Sequence, residues 1–215
     1  MVKRLLAVLI LVMGLVDIFV SSAMLFKLIP MWLILIYAYL HKPHLKDRYF
    51  LIVLTGLFFC MLGDGLLKWF VVGLSAFLIG HLFYTWAFIT RWRFSWIRFS
   101  TILPLLLYGI YMGYRIFHSL QDKGDQVLII PVLVYLLVIS LMCWFSIMTG
   151  NKWSIVGGIL FVTSDSILAW NMFITDIAYS HVLIMSTYYM AQFLIARSIG
   201  TTTQSNSAKL NSIVP

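Results

Sequence analysis

This chain consists largely of apolar runs, most of them about as long as a bilayer is thick. Residues 127–148, for example, contain no charged side chain. About 20 apolar residues span the hydrocarbon core as a helix, and lipid cannot satisfy the open backbone groups of irregular structure. A barrel strand would alternate in polarity over about 10 residues, and these runs do not alternate. The sequence therefore predicts an all-α membrane protein.

Eight such runs, of which the second is short, predict eight transmembrane helices, with polar loops at 41–48, 91–98 and 121–125. The segment after residue 200 is rich in Thr, Ser, Asn and Gln, a composition typical of disorder. We therefore expect one transmembrane domain over residues 1–200 and a disordered tail over 201–215. The predicted spans are 5–24, 28–40, 49–67, 71–89, 99–117, 127–148, 153–173 and 178–197.

The charged residues also favour a membrane protein over a nucleic-acid-binding one. Charged residues make up 10% of the chain and hydrophobic residues 62%, whereas a soluble domain carries about 25% charged residues. The net charge is +8, but the basic residues stand singly at the ends of apolar runs. Nucleic-acid binding needs a clustered basic face, so we expect membrane lipids as surroundings and no nucleic-acid partner.

The basic residues predict the orientation of the spans, because Lys and Arg accumulate in cytoplasmic loops. Lys27, Lys68, Arg115 and Lys123 fall on one side, and all other Lys and Arg residues fall on the opposite side. Both termini are therefore expected in the cytoplasm, which agrees with an even number of spans. The membrane would be the plasma membrane in a bacterium and the endoplasmic reticulum in a eukaryote.

A faint internal repeat relates the two halves of the chain at an offset of 101 residues. Gly63-Asp-Gly-Leu-Leu-Lys-Trp69 resembles Ser164-Asp-Ser-Ile-Leu-Ala-Trp170. Because the offset covers four spans, it predicts two four-helix halves of the same orientation around a central polar cavity. Coincidence in an apolar sequence is the alternative.

Three aspartates lie inside predicted helices: Asp17, Asp64 and Asp165. A carboxyl at membrane depth costs about 2.5–3.5 kcal/mol, so it usually faces a bundle interior or a wet cavity. With a rise of about 1.5 Å per residue, all three reach a similar depth in the outer half of the membrane. We expect Asp64 and Asp165 to be functional, with Asp17 as a weaker candidate nearer a span end.

Other polar side chains at similar depth are candidates for binding a substrate: Lys27, His81, Tyr84, Tyr135, Asn171, Tyr188, Tyr189 and Gln192. The simpler interpretation is a hydrogen-bonded network that holds helices together. A zinc site formed by His81 and His181 with an aspartate is a minor alternative, because no third histidine is well placed. We therefore expect no metal and no organic cofactor.

Six segments, taken in order, resemble the lysoplasmalogenase-like family, also called the YhhN or transmembrane-protein-86 family. The resemblance covers about residues 5–200. Each segment alone is a weak signal, and their order makes the assignment specific. They are Lys27–Pro30, Leu62–Leu67, Phe77–Phe88, Pro131–Tyr135, Gly158–Ala169 and Thr187–Ala196.

The resemblance implies an eight-span hydrolase that acts on lysoplasmalogens, which are lysophospholipids with a vinyl ether bond. The products would be a fatty aldehyde and a glycerophospho-headgroup. In the family, two intramembrane aspartates are regarded as the catalytic pair, and they correspond to Asp64 and Asp165. The resemblance does not indicate the headgroup, the chain length or the oligomeric state.

Two aspartates in one cavity suit acid/base cleavage of a vinyl ether, because one carboxylic acid protonates carbon and one carboxylate activates water. The sequence does not tell which aspartate is the acid. We hypothesise that Lys27 holds the phosphate. A proton-coupled transporter or lipid-moving protein is the alternative, and a purely structural membrane protein is a third interpretation.

Overall fold

The computed structural model describes residues 1–20, 24–42 and 47–211, without the side chains of residues 25 and 202–211. Within these ranges the chain is helical and contains no strand, which confirms the all-α prediction. The helices are α1 (Val2–Phe19), α2 (Met24–Leu40), α3 (Arg48–Leu66), α4 (Phe70–Ile89), α5 (Trp96–Phe99), α6 (Ile102–Lys123), α7 (Ile129–Met148), α8 (Lys152–Ala169) and α9 (Ser180–Asn211).

Five of the described helical segments are long and apolar enough to cross a membrane. They are Arg48–Leu66, Phe70–Ile89, Gln126–Met148, Lys152–Ile174 and Ser180–Thr201. Helix α2 is apolar but shorter, at 17 residues. Helix α1 contains three charged residues, and α6 contains several tyrosines and an arginine. Because of these polar residues, neither helix belongs to the set of five. The chain is therefore a multi-pass membrane protein.

The region around the fifth predicted span differs from the prediction. The helix α6 begins at Ile102 and continues to Lys123, so most of the loop predicted at 121–125 is helical. It ends where Gly124 adopts φ +80°, a left-handed conformation that favours glycine. The short α5 occupies part of the predicted loop 91–98. Residues 100 and 101 form a turn between α5 and α6, and their hydroxyls bond to carbonyls three residues earlier.

The polar segments near the ends are only partly described. Asp47 precedes α3, and its side chain accepts a hydrogen bond from the Tyr49 amide at 3.0 Å. Most of the remaining loop, at 43–46, lies outside the described residues. The last helix α9 continues to Asn211, into the predicted tail. The domain boundary after residue 200 stays a prediction.

Helices α3 and α4 pack closely because glycines line their crossing. A Cβ atom built on Gly56 would lie 2.5 Å from the Tyr84 ring and 3.1 Å from the Gly80 carbonyl oxygen. Small residues of this kind let membrane helices approach each other. Helices α8 and α9 also cross closely at a glycine, with Gly157 against Ala191 and Ile195. The contact of α3 with α9 joins the two pairs directly.

A Gly56→Ala substitution is expected to destabilise the protein by about 1–3 kcal/mol, the usual cost of an overpacked core. The Tyr84 ring cannot easily move away, because it is fully buried and its hydroxyl donates to Gln192 at 2.6 Å. Thermal unfolding in detergent measures the effect.

Gly109→Ala in α6 is the matched control. Its Cβ would meet only the Ser140 Oγ atom, at an ordinary 3.8 Å, and alanine is favoured over glycine in a helix by about 0.5–1 kcal/mol. An unfolding temperature of the Gly56→Ala variant equal to or above that of the wild type would contradict the proposed close crossing.

Candidate active site

The side chains of Asp64 and Asp165 line the same cavity, which has a volume of about 180 Å³. Asp64 lies near the end of α3 and is 6% exposed, and Asp165 lies near the end of α8 and is half-buried. The structure thus brings together two residues that are 101 positions apart in the sequence.

The carboxyl group of Asp64 has a cationic partner. The Lys27 Nζ atom lies 3.3 Å from one carboxyl oxygen of Asp64, and the Tyr188 hydroxyl donates to the other at 2.6 Å. The Lys27 side chain is 21% exposed, so the ion pair lies at the edge of the buried region. Such a pair stabilises the ionised form of the carboxyl group.

The carboxyl group of Asp165 has an uncharged partner. The Tyr135 hydroxyl, from α7, donates to its Oδ2 atom. Within the described ranges, the ion pairs are Lys27 with Asp64 and Arg91 with Asp47, so no cation pairs with Asp165 there. The two carboxyl groups of one cavity therefore have unlike surroundings.

The local sequence explains why Asp64 reaches the cavity. Gly63 lies beside the Phe77 ring, where a Cβ atom would be 2.6 Å from the ring carbon Cδ2. The glycine therefore lets α4 approach α3 at the level of the carboxyl group. The turn from α3 to α4 is short, and the Trp69 amide closes it with a bond of 2.8 Å to the Leu66 carbonyl.

The remaining wall of the cavity is mostly apolar. After α8, residues Trp170–Ile174 form a widened π-helical turn. This turn places Phe173 in the wall, and its carbonyl accepts hydrogen bonds from Ser119 and Lys123 of α6. The exposed His181 also lines the cavity. The apolar lining residues are Leu67, Phe70, Leu74, Phe77, Val132, Leu168, Ala169, Met172, Phe173, Ile184 and Met185.

Three candidate binding residues lie behind the cavity rather than on its wall. The Tyr84 hydroxyl donates to Gln192, and both side chains are fully buried beside the Cys60 thiol. His81 is also fully buried, with Nδ1 2.6 Å from the Phe77 carbonyl oxygen. Its Nε2 atom has no hydrogen-bond partner in the part of the chain that the structure describes. These residues line no part of the cavity that holds the aspartates.

Asp17, Tyr189 and Asn171 also lie off the cavity wall. Asp17 is 1% exposed and accepts a hydrogen bond from the Tyr189 hydroxyl at 2.9 Å. The same hydroxyl lies 2.9 Å from the Lys27 carbonyl oxygen. It therefore links Asp17 to the helix that carries Lys27. The Asn171 side chain accepts a bond from the Ile177 amide at 2.8 Å, which is a local role in the connection to α9.

Sequence reasoning missed several residues of the cavity. The sequence indicates His181 only as a minor candidate zinc ligand and Ser164 only as part of the internal repeat, although both line the cavity. The apolar wall gives no sequence signal, because its side chains are of the same types as those that face lipid. Among the described residues, no group of three His, Cys, Asp or Glu side chains is arranged to hold a metal ion.

Residues 22–199 match the model of the YhhN family, which covers both cavity aspartates. The chain belongs to the YhhN family. Among its relatives, human lysoplasmalogenase TMEM86B is 35% identical over 153 residues, and the mouse protein of that name is 33% identical over 151 residues. Human lysoplasmalogenase TMEM86A is 31% identical over 173 residues.

Each of these alignments covers 68% of this chain, and the chain spans 62% of the length of the TMEM86B relatives and 64% of human TMEM86A. No solved structure matches the chain. The chain is therefore a YhhN-family member by sequence similarity and not by likeness to a solved structure.

Proposed function

We propose that this YhhN-family protein is a membrane-embedded hydrolase that cleaves the vinyl ether bond of lysoplasmalogens. The products are a fatty aldehyde and a glycerophospho-headgroup. The supporting observation is the pair of carboxyl groups, one with a cationic and one with an uncharged partner, on a single mostly apolar cavity. The relatives named lysoplasmalogenase supply the substrate class.

The unlike partners of the two aspartates support different roles in the reaction. Asp64, which pairs with Lys27, is assigned as the carboxylate that activates water. Asp165 is assigned as the carboxylic acid, because a half-buried carboxyl group on a mostly apolar cavity, without a cation beside it, is more stable when neutral. The Tyr135 hydroxyl bonds to Oδ2 of Asp165, which leaves Oδ1 to carry the proton.

The first half of the reaction forms an oxocarbenium ion, which water then captures. Asp165 donates its proton to the β-carbon of the vinyl ether, and the double-bond electrons form the new C–H bond. The resulting oxocarbenium ion lies between two carboxylates, which stabilise its charge. Water attacks the cationic carbon while Asp64 takes one of its protons, which gives a hemiacetal. This use of two carboxyl groups is similar to the chemistry of glycosidases.

Collapse of the hemiacetal restores both aspartates. Asp64, now protonated, donates to the departing glycerol oxygen as the C–O bond breaks. The hemiacetal hydroxyl loses its proton to Asp165, and the carbonyl of the aldehyde forms. Overall, one water molecule is consumed, and each carboxyl group returns to its starting protonation state.

The cavity suits the reacting part of a lysolipid rather than the whole molecule. Its volume of about 180 Å³ equals the share of about six water molecules in liquid water, at about 30 Å³ each. The apolar wall would contact the first carbons of the alkenyl chain. Because Lys27 pairs with Asp64, we assign Lys27 to holding the carboxylate rather than the phosphate of the substrate. We assign the exposed His181 of the cavity wall to contact with the headgroup.

We also infer eight spans rather than five. Helices α1 and α6 expose large apolar side chains, such as Leu11 (56%) and Leu107 (70%), as helices surrounded by lipid do. The last helix of the first half, α4, contacts the second helix of the other half, α7, and α9 contacts α2 in the corresponding way. This correspondence supports two four-helix halves of the same orientation. The basic residues support cytoplasmic termini, in the plasma membrane or the endoplasmic reticulum according to the organism.

The test compares two substrates that differ in one bond. Purified protein in detergent is expected to release aldehyde from a lysophospholipid with a vinyl ether. It should release none from the matched saturated alkyl ether, which has no double bond to protonate. Aldehyde release from neither lipid would contradict the proposed function. The alternative of a transporter, which the named relatives do not favour, would show flux into sealed vesicles without a chemical product.

A further inference from the structure

A second polar cavity lies at the opposite end of the bundle from the two aspartates. Tyr49, in its wall, is 15 residues before Asp64 on α3, a distance of about 22 Å at 1.5 Å per residue. The cavity has a volume of about 320 Å³. Its wall combines residues 90–93 after α4, residues 149–151 between α7 and α8, and Thr201 of α9.

The charged side chains on this wall are arginines. Arg91 and Arg93 line the cavity, and no acidic side chain is among its described lining residues. Arg91 is held in place, because it pairs with Asp47 at 2.5 Å and its guanidinium lies 5.3 Å from the centre of the Tyr49 ring. The Arg93 side chain is exposed and forms no ion pair among the described residues.

A third guanidinium group lies at the edge of the cavity. A Cβ atom built on Gly150 would be only 1.9 Å from the Arg98 Nη1 atom, so this group rests directly on the glycine. The Arg93 amide donates to the Met148 carbonyl at 3.0 Å, which fixes the arginine segment against the end of α7. This bond does not involve the Arg93 side chain.

The rest of the wall is held by hydrogen bonds between its own polar groups. The Tyr49 side chain, 2% exposed, bonds through its hydroxyl to Ser198 at 2.7 Å. The Asn151 amide nitrogen Nδ2 donates to Thr201 at 2.9 Å, and its backbone amide donates to the buried Thr149 hydroxyl at 3.1 Å. A ligand would therefore meet a cavity that is already formed, and binding would order few side chains.

We propose that this cavity binds a phosphate group, carried by an anionic phospholipid of the adjacent leaflet or by a soluble phosphate. Guanidinium groups match phosphate oxygens in charge and geometry. The Arg93 side chain, and those N–H groups of Arg91 that have no partner among the described residues, supply the donors. Because the wall combines segments of both halves, a bound phosphate also stabilises their contact. The proposal does not depend on the vinyl ether reaction.

The test follows the unfolding temperature of the purified full chain. One arm adds inorganic phosphate in neutral detergent, with sodium chloride of equal ionic strength as the reference. The other arm compares vesicles of phosphatidylcholine with vesicles that also contain phosphatidylglycerol. A rise with inorganic phosphate assigns a soluble ligand, and a rise with phosphatidylglycerol alone assigns a lipid headgroup.

Two variants decide whether the rise comes from this cavity. Arg93→Gln is expected to raise the half-effective concentration of phosphate or phosphatidylglycerol about tenfold, through the loss of one charge-assisted bond. Arg91→Lys keeps the pair with Asp47 but loses the planar fork, so it should also weaken binding. Arg4→Gln is the matched control, since Arg4 is exposed and lines no part of this cavity.

Three results would overturn the proposal. One is an unfolding temperature that changes with neither phosphate nor phosphatidylglycerol beyond the salt reference. Another is a response that Arg93→Gln leaves unchanged. The third is an equal loss of response in the Arg93→Gln and Arg4→Gln variants, which would indicate general attraction between a basic protein and anions.

Discussion

An Asp165→Asn variant is expected to release aldehyde at a rate lower by about 10²–10⁴, the usual contribution of a positioned general acid. The amide group has the same shape as the carboxyl group, but it cannot donate a proton to the carbon of a vinyl ether. The Tyr135 hydroxyl can still donate to the amide oxygen, so the cavity wall keeps its hydrogen bond. Trapping the aldehyde as a hydrazone gives the rate.

The matched control is Asp176→Asn, which removes an exposed aspartate of the connection to α9. It should leave the rate within about twofold, because exposed substitutions rarely perturb a structure. Both variants should unfold near the temperature of the wild type. An Asp165→Asn protein that is folded and as active as the wild type would contradict the assignment of Asp165 as the acid.

The transmembrane class could be predicted from the sequence because lipid imposes one strong rule, a long apolar helix. The predicted span 127–148 and the observed helix Ile129–Met148 differ by two residues at one end. The errors fall where this rule is weak. Around 99–123, tyrosines, Arg115 and hydroxyl side chains interrupt the apolar run, so its end is hard to locate in the sequence. The helix α6 ends later than predicted.

The candidate site could be predicted in part for a related reason. A carboxyl group in an apolar helix is costly, so Asp64 and Asp165 are conspicuous in the sequence, and depth alone suggests that they share a level. Depth does not give the angle around the helix axis. His81 and Gln192 lie at a suitable depth but behind the wall, fully buried beside Phe161 and Cys60.

The partners of the aspartates could not be predicted either, because they come from distant parts of the chain. The contact of Lys27 with Asp64 joins residues 37 positions apart, and that of Tyr188 with Asp64 joins residues 124 positions apart. No local pattern encodes such contacts. They decide the chemistry, since an ion pair on one carboxyl group and not on the other is the basis for distinguishing base from acid.

An Asp64→Asn variant is expected to separate protonation of the substrate from its hydrolysis. Aldehyde release should fall by about 10² or more, since no carboxylate then takes a proton from water. Asp165 should still protonate the vinyl ether, and the oxocarbenium ion should often return its proton before water attacks. In deuterium oxide, the recovered substrate should therefore gain deuterium on its β-carbon, which mass spectrometry measures.

Asp165→Asn is the variant to compare with Asp64→Asn in this experiment, because it should give neither aldehyde nor deuterium exchange into the substrate. The wild-type protein should give aldehyde with one deuterium on the carbon next to the carbonyl, provided that the product is trapped at once. Exchange in the Asp165→Asn protein and none in the Asp64→Asn protein would reverse the two roles. That outcome would mean that the ion pair with Lys27 opens when substrate binds, and that the protonated carboxyl group is the one on α3.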